Sequence, residues 1–224
     1  MIFCATLLAL DLDPQVKPQK RMRDALMERF FENISQEGIL KVSHGARVAL
    51  RKDICHGWDG ITCLFGEIVA IKYIGKEHGD LQIGYMPNTA QWVSIISCFQ
   101  RFTISIRSFP RNLITISLGN NLITGRPDLT VLPEKLEEAE FWSNRLNGPI
   151  QLTHLPRKLR KLNLRGNMID QHTVWYDDLP ETIEEIRFRN VIEKTKIREV
   201  RAVHPYKAVK RKEIFYGMNK SHVH

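Results

Sequence analysis

The sequence predicts an α/β repeat fold: a curved, right-handed solenoid of about six coils, with a parallel β-sheet on its concave face and a helical cap at its N-terminal end. Three observations predict it. The first is internal repetition, with Pro110, Pro133, Pro156 and Pro180 separated by 23, 23 and 24 residues. Apolar residues return at fixed offsets from each proline: Leu113, Leu136 and Leu159; Ile116, Ala139 and Leu162; Leu118, Phe141 and Leu164; Ile123, Leu146 and Ile169. The second is the period of two inside each unit, which points apolar residues to one side and their neighbours to the other, as in a short strand. One such strand cannot bury its face alone, so the units must stack. The third is a polar column, Asn121, Asn144 and Asn167, at the same offset in every unit. Where a strand ends and the chain turns inward, backbone groups lose their ladder partners. A side-chain amide carries a donor and an acceptor, so a column of amides satisfies them from coil to coil, which makes these residues structural.

Written out, the unit is L-x-x-L-x-L-x-x-N-x-L, and it resembles the leucine-rich repeat. After the asparagine stand I-T-G-R-P (123–127) and L-N-G-P-I (146–150). These resemble the L-x-G-x-I-P segment of plant-type extracellular leucine-rich repeats, where the glycine permits a tight turn. The third unit departs from this, carrying Gln171 at the glycine position.

Residues 1–20 begin with an apolar run, M-I-F-C-A-T-L-L-A-L-D, and continue as a linker holding Pro14 and Pro18. The run has the length of a signal-peptide core but lacks a basic n-region and an A-x-A-like site. Either the true start lies upstream or the terminus is simply apolar. Arg21 to Ile34 reads as an amphipathic helix with Met22, Leu26, Phe30 and Ile34 on one face. C-H-G-W-D-G-I-T-C follows at 55–63. A helix followed by C-x-x-W-x-G-[IV]-x-C resembles the N-terminal cap of plant-type leucine-rich-repeat ectodomains, assigned here to 21–65. That resemblance implies a Cys55–Cys63 disulfide, Trp58 covering the first coil, and a first strand launched through Gly66, Ile68, Ile71 and Tyr73. The alternative use of Cys55, Cys63 and His56, a metal site, lacks the usual zinc spacing and a second cluster, so no metal and no cofactor is expected.

The repeats occupy 66–192. Between Gly66 and Pro110 they are worn: Ala90, Val93 and Ile95 take core positions, and Cys98 takes the asparagine slot as a buried thiol. Gln100 stands where leucine is expected, so Phe99 or Phe102 is expected to fill in. The last unit keeps Ile183, Ile186 and Phe188, then has Val191 in place of asparagine, and the repeat is expected to end there. Residues 193–224 form a basic C-terminal cap and tail, in which Ile197, Val200 and Val203 are placed to close the last coil. The net charge of +8 lies entirely in the stretch from Arg187 to His224, which holds eleven Lys/Arg against three Asp/Glu. The cluster Lys207 to Lys212 reads as solvated surface, or as a contact for nucleic acid, anionic lipid or an acidic partner.

No run of about eighteen apolar residues exists to cross a membrane as a helix. Phosphate-binding glycine loops, H-E-x-x-H and G-x-S-x-G are all missing, so an enzyme is not expected. Asp177 and Asp178 are expected on a solvated outer loop. What remains is recognition. Outward strand residues form three columns: Trp92, Thr115, Glu138, Lys161 and Glu185; Ser94, Ser117, Glu140, Asn163 and Arg187; Ile96, Gly119, Trp142, Arg165 and Arg189. Candidate partner-binding residues are Trp92, Glu138, Glu140, Trp142, Lys161, Arg165, Arg187 and Arg189, with Trp142 either an interface anchor or packed against its neighbours. Two readings follow. One is a monomeric recognition module binding a protein or glycoprotein on its concave face, with secretion favoured over the cytoplasm. The other is an intracellular scaffold docking RNA or an acidic partner through 193–212. The oxidation state of Cys55 and Cys63 separates them.

Overall fold

A computed structural model describes residues 18–43, 53–188 and 196–224. The apolar N-terminus, Arg189 and Val191 lie outside them. The described chain opens with helix α1 (Pro18–Phe30), strand β1 (Asn33–Ile34) and a short helix α2 (Gln36–Val42). Strands β2 (Ile61–Leu64) and β3 (Glu67–Ile74) form a hairpin, and β4 (Gly79–Asp80) pairs antiparallel with β1. Next come β5 (Trp92–Ile96), β6 (Thr115–Ser117), β7 (Thr124–Gly125), β8 (Glu138–Glu140), β9 (Arg145–Leu146) and β10 (Gln151–Leu152). The remainder holds β11 (Lys161–Asn163), β12 (Thr173–Tyr176), β13 (Glu185–Arg187), β14 (Glu199–Ala202) and β15 (Phe215–Tyr216).

One eight-stranded sheet runs the length of the solenoid in the order β15-β13-β11-β8-β6-β5-β3-β2. Every neighbouring pair in it is parallel except β2–β3. The repeat dictates the register, which places Val93, Ile116, Ala139, Leu162 and Ile186 side by side. These residues, with Leu118, Phe141, Leu164 and Phe188 two positions on, are buried. Each such large apolar side chain contributes about 1.5–3 kcal/mol by leaving water, and only stacking makes that burial available. A second parallel sheet, β10-β12-β14, closes the other side of the C-terminal coils.

The asparagines sit where the chain leaves the main sheet. Asn144 Oδ1 accepts from the Ile123 N–H at 3.1 Å, and its Nδ2 donates to the carbonyls of Leu118, Phe141 and Trp142. Asn121 receives the Cys98 and Gln100 N–H groups and donates to Ile95, Leu118 and Gly119. Asn167 repeats the pattern with Leu146, Phe141, Leu164 and Arg165. At the worn end, buried Cys98 places its thiol 3.4 Å from the Tyr73 carbonyl, and burial pushes its pKa up.

Several local expectations need correction. Gln100 is itself buried, whereas Phe99 is exposed and Phe102 only half-buried. The amide goes in because three backbone groups await it: Oε1 accepts from the Leu81 N–H at 2.7 Å, and Nε2 donates to Gly79 and Cys98 at 3.0 Å. Gln171 does the same in the third unit, accepting from the Ile150 N–H and donating to the Ile150 and Thr173 carbonyls. Gly125 and Gly148, at the equivalent positions, use the positive φ that glycine tolerates.

The inner face of α1 is Arg23, Met27 and Phe30, not Met22, Leu26 and Phe30; Met22 is exposed. Arg23 turns inward because its guanidinium meets the Gly66 carbonyl and the Asp24 and Asp53 carboxylates. Cys55 and Cys63 form a disulfide with Cα atoms 5.6 Å apart. Beside it, the Trp58 ring stacks on Phe31 at 5.1 Å, and Phe31 meets Tyr73 edge-on. This aromatic group covers the end of the core that the first coil would otherwise expose.

At the other end the sheet does not stop with the last recognisable repeat. β15 adds one more parallel strand beyond β13, with Phe215 in register with Ile186. Ile197 and Val200 point inward as expected, but Val203 is exposed and Ala202 is buried instead, because β14 alternates through 200 and 202. Trp175 and Tyr176 end β12, and Asp177 and Asp178 follow directly after it. Tyr176 is fully buried, donating to the His224 carbonyl and accepting from the Val209 N–H, both at 3.0 Å.

Candidate recognition surface on the concave sheet

The outward residues of the main sheet stand in three rows because parallel pairing holds them in register. Trp92, Thr115, Glu138, Lys161 and Glu185 are successive partners in the first row. Ser94, Ser117, Glu140, Asn163 and Arg187 form the second, and it continues to Tyr216 on β15. Along the solenoid the surface passes from mainly apolar and small polar residues, with Lys72 the charged exception, to mainly charged ones. At the N-terminal end Ile74 and Trp92 are about half exposed and lie beside Ala70, Ser94 and Ile96, with exposed Lys72 paired to Ser94 among them.

From β8 onward the rows interlock. Lys161 Nζ lies 3.5 Å from Glu138 Oε1, a partly exposed pair. Asn163 Nδ2 donates to Glu140 Oε2 at 2.8 Å, and Asn163 Oδ1 accepts from the Arg165 N–H. Burial pushes the Glu140 carboxyl up, and the Asn163 amide only partly offsets this. Arg187 pairs with Glu185 and lays its guanidinium over the Tyr216 ring, 4.2 Å from the centroid.

Trp142 is neither a free anchor nor a core residue. Its indole lies flat on Gly119: a Cβ added there would meet Trp142 Cε2 at 2.2 Å. The Arg165 guanidinium sits over the same ring, 5.2 Å from its centroid. The result is a half-buried stack, Gly119–Trp142–Arg165, running beside the Glu140–Asn163–Arg187–Tyr216 row. Two guanidinium groups are thus held against aromatic faces on this surface.

Tyr216 was not legible as a site residue. Its strand follows the previous one by 29 residues at Ile186–Phe215, outside the repeat spacing. The basic cluster at 207–212 is largely used within the fold. Lys207 pairs with Asp177 at 2.9 Å, Arg211 donates to the Ile183 carbonyl, and Lys212 donates to the Lys220 carbonyl. Asp178 pairs with Arg157, whose guanidinium holds that carboxyl below its usual range. Among the described residues no cluster of His, Cys, Asp or Glu is placed to hold a metal, and no helix is long and apolar enough to cross a membrane.

No family model matches the sequence, and no curated protein does either. Solved structures do match, plant extracellular leucine-rich-repeat ectodomains among them. The BIR3–SERK2 complex from Arabidopsis thaliana aligns over 77% of this chain and 95% of that one, at 16% identity and a TM-score of 0.51. A pollen receptor kinase 3 structure aligns over 80% and 92%, also at 16% identity and a TM-score of 0.51. The PEPR1–AtPEP1 structure covers 88% of this chain but 30% of its own, at 15% identity and a TM-score of 0.52. The repeat register, the asparagine column, the disulfide-closed cap and these likenesses agree: the chain has the leucine-rich-repeat fold.

Proposed function

We propose that this protein is a non-enzymatic recognition module that works outside the cell and holds a protein or peptide partner against its concave sheet. The observation that carries this reading is the contiguous patch formed by Glu138, Glu140, Trp142, Lys161 and Arg165, extended by Arg187 and Tyr216. Neighbouring parallel strands are about 4.8 Å apart, so these side chains span a width suited to an extended peptide or a protein edge. The patch offers both charge signs and two aromatic rings on a backbone already fixed by the sheet, which keeps the ordering cost of binding low. Two structures of similar fold are complexes by their own description, BIR3 with SERK2 and PEPR1 with AtPEP1. The Cys55–Cys63 disulfide supports an oxidising compartment.

The test is site-specific photo-crosslinking after affinity capture of a partner with the intact protein. A photoreactive residue at Ser117, in the sheet's second row, should crosslink the captured partner. One at Thr130, in the connector after β7, should not. Crosslinks from Thr130 alone would move the binding surface to the opposite side.

A further inference from the structure

We propose that Asn33 and Asn219 are acceptors for N-linked glycans. Of all the asparagines in the chain, only these two begin an Asn-x-Ser/Thr triplet: Asn33-Ile34-Ser35 and Asn219-Lys220-Ser221, with no proline between. The inference rests on the extracellular reading above, because the modifying machinery belongs to the secretory route.

The fold treats these two amides differently from the ladder asparagines. Both residues are exposed. Among the described residues the Asn33 side chain makes no hydrogen bond. Asn219 uses only its oxygen, which accepts from the Ser221 N–H at 3.1 Å and caps the turn at Lys220–His222. Glycan transfer takes place at the nitrogen. Nδ2 bonds to C1 of an oligosaccharide carried on a polyisoprenyl diphosphate. The C1–O bond to phosphate breaks, the lipid diphosphate leaves, and the amide gives up one proton. Neither site loses a structural contact. Asn144, by contrast, spends Nδ2 on three buried carbonyls, and a sugar there would remove the turn it supports.

Location adds a consequence. β1 pairs with β4 in a separate two-stranded sheet. The turn after Asn219 leads to Val223, which bridges to Val200 on the second parallel sheet. Neither asparagine therefore belongs to a strand of the eight-stranded sheet.

The experiment expresses the full chain behind a secretion leader in eukaryotic cells. The secreted protein is treated with peptide N-glycosidase, and mass spectrometry locates the aspartates that replace modified asparagines. Thiols of Cys55 and Cys63 are counted in the same sample. Aspartate at 33 and 219 is expected, with Asn33→Gln removing one glycan and Ser221→Ala the other. Ser221→Ala retains the backbone N–H that Asn219 caps, so a folding defect does not confound it. Unmodified asparagine at either position overturns that site. If Cys55 and Cys63 are bonded while both asparagines are bare, the glycan proposal fails and the extracellular reading stands. Bare asparagines with two free thiols overturn both.

Discussion

At the scale of single residues, buried amides decide whether the coils stack. Asn144 serves one N–H and three carbonyls, all from the turn beside the sheet. Leucine at this position keeps the branching and heavy-atom count but forfeits every bond, leaving buried backbone groups unpaired at about 1–3 kcal/mol each before relaxation. Asn144→Leu should therefore lower unfolding free energy by about 3 kcal/mol or more in a urea titration. Gln100 gives a sharper version. The repeat pattern asks for leucine there, so Gln100→Leu improves agreement with the pattern. It also unpairs the Leu81 N–H and two carbonyls, and should destabilise by about 2 kcal/mol in the same titration. The asparagines were legible because their chemistry is periodic. Gln100 was not, because its partners Gly79 and Leu81 lie in an adjoining coil whose local geometry no spacing in the sequence encodes.

At the scale of elements, the two ends differ in how openly the sequence declares them. The N-terminal cap follows from one compact string, Cys55 to Cys63, and the disulfide closes a sequence separation of 8 residues. By chain entropy a loop that short is worth about 2.5 kcal/mol. In a stacked array each coil touches only its neighbours, so the loss should stay local. Replacing both cysteines with serine should raise hydrogen exchange in β2 and β3 and leave β11 and β13 nearly unchanged. The face of α1 was misread because an arginine lies on the buried side, and only the Gly66 carbonyl and the nearby carboxylates explain why it turns inward. The C-terminal coil was misread because a longer connection precedes β15. There Glu199 accepts from Arg201 at 2.9 Å and from Thr173 at 2.7 Å, with His172 nearby, and its carboxyl is lowered from 4.5 to about 2. A carboxylate held below its unfolded value contributes stability that is complete above that value. The contribution disappears as pH falls from about 4.5 through about 2. The acid-unfolding limb of Glu199→Gln should therefore be flatter than that of the unmodified protein across this window. An unchanged limb would show that the pairing carries no folding energy.

At the scale of the whole molecule, the sheet converts a one-dimensional repeat into a surface with direction, richer in apolar residues at one end and in charge at the other. The columns were legible from offsets alone, since parallel strands of equal spacing must align. The aromatic contacts were not, because they depend on a missing side chain at Gly119 and on a strand outside the repeat at Tyr216. Trp142 presses on Gly119 and holds Arg165 in place, so its removal deletes an aromatic contact and loosens an arginine beside it. Residues of this kind dominate binding energy when a partner covers them. Trp142→Ala should weaken binding of the captured partner by about 2 kcal/mol, roughly 30-fold in Kd. Asp177 pairs with Lys207 away from the main sheet, so Asp177→Ala should leave affinity nearly unchanged. Circular dichroism and urea midpoints must first show both variants folded, because the Trp142 ring also covers backbone. With folding established, a large effect at Asp177 and none at Trp142 would place the partner on the other side of the solenoid.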